Sequence, residues 1–177
     1  MTAEVFGEHN GDINELRRRA LQLGQGARFL IDLSRYEYTD GKQRAEVDGY
    51  MIFVYTPQMI VCEKLRAICQ QMPAYDAIVK RGRPGTPRAR DFYDIYVLVS
   101  TFNIDLQSKD NLTTLIGMFE SKHVPIEFLK NIEEYREFHR TDFAAVLATV
   151  KAGTQMKEFD FYFEFTIKLA LEAFGNV

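Results

Sequence analysis

Lys64, Asp91 and Asp94, with Arg66, Arg88 and Arg90 close by in the chain, are the residue types that phosphate chemistry requires. Lysine and arginine neutralise charge on a phosphate chain and on a leaving pyrophosphate, and carboxylates hold the divalent metal that travels with a nucleoside triphosphate. They fall in two short runs, Glu63-Lys64-Leu65-Arg66-Ala67 and Arg88-Ala89-Arg90-Asp91-Phe92-Tyr93-Asp94. Upstream, Phe29-Leu30-Ile31-Asp32-Leu33 places one carboxylate inside an apolar run that reads as a buried strand, where a lone charge needs a partner or a metal. Singly, each residue has a plainer reading. Lys64 fits a surface or half-buried helix position, and Asp91 and Asp94, three apart and so on one helical face, would pair with Arg66, Arg88 or Arg90. Together, Asp32, Lys64 and the Arg88–Asp94 run supply what a nucleotide site combines.

A second constellation joins these runs. Lys80, Arg81, Arg83, Arg88 and Arg90 lie within eleven residues that contain no acid. The whole chain carries a net charge of -3, so the remainder without those five is at -8. One concentrated basic loop on an acidic body suggests a local polyanion contact rather than a general nucleic-acid coat, which would be basic over a whole face. The plain alternative is a solvated loop. Lys80-Arg81-Gly82-Arg83-Pro84 also resembles the core of an AT-hook, a short extended segment that enters a narrow minor groove.

The elements that must position these residues follow from pattern. Asp12 to Leu23 predicts an amphipathic helix, stopped by Gly24 and Gly26. Arg28 to Tyr38 and Glu46 to Tyr55 predict two antiparallel strands, with the turn at Thr39-Asp40-Gly41-Lys42. Thr56-Pro57 predicts a helix start, a capping hydroxyl followed by a proline whose fixed φ suits the first turn, and the helix runs to about Met72. Three prolines and two glycines between Pro73 and Pro87 predict a loop of fifteen residues. Thr86-Pro87 predicts a second start, for a helix through Phe102 whose core stripe is Phe92, Ile95, Tyr96 and Val99, with Arg90, Asp91 and Asp94 on another side. Lys109 to Lys122, Pro125 to Phe138, Asp142 to Ala152 and Glu158 to Phe174 read as further helices. The expected fold is therefore α+β, with 1–102 as a mixed part and 103–177 as a helical bundle packed on it.

With 177 residues and 46% hydrophobic content the chain can bury a substantial core, and it has no apolar run long enough to span a membrane. Its first residues carry acids and glycines rather than a basic end and an apolar stretch, so a cytoplasmic location is expected. Cys62 and Cys69, seven apart on one helix, lie about 10 Å apart along its axis, too far to bridge, and read as reduced core thiols. His9, His123 and His139 have no metal-ligand spacing to one another.

The order Ile31-Asp32-Leu33, Thr56-Pro57, Glu63-Lys64-Leu65-Arg66-Ala67, then Arg90-Asp91-Phe92-Tyr93-Asp94-Ile95-Tyr96 resembles the AbiEii/AbiGii toxin family of nucleotidyltransferase-like proteins. The resemblance covers Phe29 to Leu98, and more loosely Phe119, Lys122 and Val124-Pro125. It implies a small mixed sheet of the nucleotidyltransferase type followed by a helical domain. It also implies a toxin of a toxin–antitoxin or phage-defence system, with a cognate antitoxin, and transfer of nucleotides from a nucleoside triphosphate with Mg²⁺ to RNA such as tRNA. Carried over by position, Asp32 is a metal-binding carboxylate and Lys64 and Asp91 are the other catalytic residues. Arg66, Arg88 and Arg90 bind phosphate, and Lys80, Arg81 and Arg83 contact nucleic acid. The family's first motif, a Gly-Ser or Gly-Gly turn followed by Asp-x-Asp, is not found before Asp32, and Gly11-Asp12-Ile13-Asn14 does not match it. Two readings stand open: an N-terminally shortened enzyme, or a catalytically inactive relative that binds nucleic acid or a protein partner through the loop 80–90. A third is that the Arg/Asp cluster is only an ion-pair network.

Overall fold

The computed structural model describes residues 12, 14, 34–80, 82–150 and 153–177. The chain divides into two compact units, Met1–Arg35 and Tyr36–Val177. Of the first, the Asn14 backbone N–H donates to Asp12 Oδ1 at 2.9 Å. The expected helix to Leu23 and the strand bearing Asp32 otherwise lie outside the described residues.

The second unit is α+β and mostly helical. Strands β1 (Gln43–Val47) and β2 (Tyr50–Val54) pair antiparallel, with Gln43 opposite Val54 and Val47 opposite Tyr50. The turn is Asp48-Gly49, both with positive φ, the dipeptide that a tight hairpin prefers. This corrects the expected register: Asp48-Gly49, eight residues after the Asp40-Gly41 read as the turn, closes the hairpin, and Ser34 to Lys42 form no strand. Every residue of β2 is exposed.

Seven helices follow among the described residues. Helix α1 (Pro57–Cys69) starts as expected, Thr56 Oγ1 accepting the Met59 N–H at 3.2 Å. Helix α2 (Pro73–Val79) replaces the first seven residues of the expected long loop. Proline is tolerated in a first helical turn, so Pro73 opens this helix where it was read as loop. Helix α3 (Ala89–Phe102) begins two residues after Pro87, and α4 (Lys109–Ser121) comes next. The stretch read as one helix from Pro125 is a 3₁₀ segment, Ile126–Tyr135, running into the short α5 (Arg136–Arg140). Helices α6 (Phe143–Thr149) and α7 (Phe159–Phe174) complete the chain.

Helix α1 packs against α3 and α4, and α7 packs against α3 and the 3₁₀ segment. One apolar core runs through all of them, so burial is continuous across residue 102. At its centre Phe92 is fully buried, its ring 5.1 Å from those of Phe163 and His139 and 5.5 Å from that of Phe159. Cys62 and Cys69 are free and buried in the same core, and desolvation pushes the Cys62 thiol up to about 12.

Candidate phosphate-binding cluster

Lys64 projects from the middle of α1 toward the first turns of α3, where its Nζ donates to Asp91 Oδ1 at 2.7 Å and to Asp94 Oδ2 at 2.8 Å. Three-residue spacing puts both carboxylates on one face of α3, so a single ammonium bridges them. Each carboxylate has a second cation on its other oxygen. Arg88 Nε donates to Asp91 Oδ2, and Arg90 Nε donates to Asp94 Oδ1 at 2.8 Å. Arg90 also reaches Thr149 Oγ1 at 2.9 Å, tying α3 to the end of α6.

Three cations against two carboxylates leave the cluster with one positive charge in excess. Asp91 is buried and Lys64 half-buried, so these charges are poorly screened. Burial alone would lower the Lys64 ammonium. The hydrogen bonds and charges of Asp91 and Asp94 outweigh it, and the pKa is held above its ordinary value. Lys64 is therefore a fixed positive charge and not a proton acceptor at neutral pH. Two of its three N–H groups are used here, and a lysine ammonium has a third.

A buried imidazole supports this arrangement from α5. His139 Nδ1 accepts the backbone N–H of Arg88 at 3.1 Å, which fixes the residue just before α3. Desolvation, and then the positive charge of Arg88, push His139 down to about 4 against a weaker upward pull from Asp91. It is a neutral acceptor.

The sequence-predicted residues thus divide. Lys64, Arg88, Arg90 and Asp91 come together. Arg66 does not join them: two residues beyond Lys64 on a helix is about 200° around its axis. Its guanidinium is bound by Glu63 and Gln70, and Gln70 continues to Tyr75. Lys80 and Arg83 belong to the loop after α2, while Arg81 and Asp32 lie outside the described residues. Asp94, read from the sequence as part of the Arg88–Asp94 run with no role of its own, is a full member, and so is His139, which sequence reasoning did not place at the site. Asp94 was legible as a helical neighbour of Asp91, whereas the 51-residue separation of Arg88 and His139 gives no local signal.

The carboxylates do not suit a divalent cation as they stand. Asp91 and Asp94 are each neutralised on both oxygens, and no group of three or more His, Cys, Asp or Glu among the described residues could hold a metal. What the cluster offers instead is positive charge and N–H donors, which suit a phosphate.

Comparison with curated proteins and with solved structures finds no match. The family model described as nucleotidyl transferase AbiEii toxin, type IV toxin–antitoxin system, matches residues 13–165, a span that takes in both the Lys64 helix and the Arg88–Asp94 turn. The chain belongs to the AbiEii nucleotidyl transferase toxin family of type IV toxin–antitoxin systems.

Proposed function

We propose that the chain is a nucleotidyltransferase-type toxin domain that binds a nucleoside triphosphate and transfers a nucleotide to RNA such as tRNA. The carrying observation is the Lys64 ammonium held between Asp91 and Asp94 with Arg88 and Arg90 beside it. In this reading Lys64, Arg88 and Arg90 bind the phosphates, and Asp91 orients Lys64. Residues 1–102 form the nucleotidyltransferase part and 103–177 its helical support. Mg²⁺ would neutralise charge on the triphosphate. Its ligands would have to come from outside the cluster, and Asp32 is the candidate. A cognate antitoxin is the expected protein partner, in keeping with the family.

The saturation of Asp91 and Asp94 by cations favours a second reading, an inactive relative that binds nucleic acid or a partner through the loop 80–90. One experiment separates the two. Each of the four labelled nucleoside triphosphates is incubated with total tRNA and Mg²⁺, with wild type beside Lys64→Ala and Asp91→Ala. Label incorporated by wild type and lost in both variants is the expected result. Absence of transfer with nucleic acid still bound would establish the inactive relative.

A further inference from the structure

A cavity of about 590 Å³ lies outside the Lys64 cluster, between the loop after α2 and the junction of the 3₁₀ segment with α5. Its lining includes Pro73, Pro84, Tyr135 and Phe138, together with Arg83 and Asp76. That volume falls within the range of small-molecule sites. The loop above it is held in place at two points. The Gly82 N–H donates to Asp76 Oδ1 at 3.0 Å, and the Thr86 N–H donates to Gln71 Oε1 at 3.0 Å. Gly85 lies so close to α1's end that a Cβ there would sit 2.1 Å from the Gln71 carbonyl oxygen. No larger residue fits without moving the loop.

Aromatic and proline faces beside a basic segment are what a nucleotide of a single strand requires. The base gives its π-face to a ring, and its phosphate goes to lysine or arginine. The cavity also adjoins the cluster. Phe138 precedes His139, their rings 5.0 Å apart, and His139 holds the Arg88 backbone.

We propose that this cavity seats an unstacked base at the single-stranded end of the acceptor nucleic acid. Tyr135 and Phe138 stack the ring, and Arg83, with Lys80 at the start of the loop, contacts the adjoining phosphates. This inference deepens the proposed transfer to RNA and rests on it for the acceptor's identity, but base seating is measurable without any transfer.

The test is fluorescence anisotropy of the full chain with a short labelled single-stranded RNA, the same sequence as single-stranded DNA, and a blunt RNA duplex, over a salt series. Phe138→Ala and Tyr135→Ala should each weaken single-strand binding about tenfold. Phe138→Leu, which keeps the apolar volume but removes the π-face, should weaken it as well and guards against a folding defect. Arg83→Gln should weaken binding and lower the salt slope by about one. Equal binding of the RNA and DNA strands supports a pocket that reads base and phosphate alone. The proposal is overturned if the folded aromatic variants bind like wild type, or if the blunt duplex binds as tightly as the single strand. It also falls if no oligonucleotide binds while nucleoside triphosphate still does, an outcome that leaves the nucleotide-binding reading standing. Loss of both would end both.

Discussion

His139 is the residue whose chemistry most depends on being folded. In the unfolded chain it titrates near 6.5, and in the folded chain it is pushed down to about 4. Between those values the unfolded chain takes up a proton that the folded chain refuses, so acid favours unfolding. The stability that neutral His139 contributes is whole above its unfolded pKa and is lost as pH falls toward the folded one, roughly 3 kcal/mol in all. Urea unfolding across that range should show the slope, and His139→Asn, which keeps an acceptor for the Arg88 N–H but does not titrate, should flatten it. An equal slope in the variant would place the acid sensitivity elsewhere. At this scale the sequence was only partly readable. Residue type and helical spacing bring Lys64 and Asp91 to notice, since both depend on local pattern. The burial of Asp91 on the face it shares with Asp94, and the use of His139 as an acceptor, depend on contacts made across the fold and leave no trace in their neighbours.

The elements fold largely by local rules, and their exceptions are instructive. Thr166, fully buried on α7, has a hydroxyl with no hydrogen-bond partner among the described residues. Replacing it by valine exchanges an unpaired polar group for a methyl of similar size and should stabilise the chain by about 1 kcal/mol. Thermal or urea melts would register the gain, and a destabilised Thr166→Val would mean the hydroxyl does have a partner. Helices α1, α4 and α7 were legible because apolar spacing holds over three turns or more, with a capping threonine and a first-turn proline added at α1. The hairpin was misplaced because Asp40-Gly41 and Asp48-Gly49 are equal signals locally, and only strand pairing chooses between them. Helix α2 was missed because its seven residues are too few for periodicity to outweigh a proline.

At the scale of the whole molecule, the core is assembled from helices distant in sequence, α1 and α3 on one side and the 3₁₀ segment and α7 on the other. The cluster inherits its rigidity from that packing, since Lys64 and Asp91 flank buried positions of α1 and α3, and Arg88 is anchored through His139 to α5. Among the described residues the β1–β2 ribbon has no such support. Tyr50 and Phe53 are exposed, the sheet has two strands among the described residues, and a two-stranded hairpin without further pairing is marginal in water. Its backbone hydrogen bonds can therefore open without disturbing the helices. In native-state amide exchange, β1 and β2 should lose deuterium protection through local opening, whereas the central amides of α1, α3 and α7 should exchange only when the whole unit unfolds. Ribbon amides as slow as those of α1 would show the hairpin to be clamped. The expected result makes this a chain with two clocks: a slow one in the helices that hold the charges, and a fast one in a strand pair that breathes on its own.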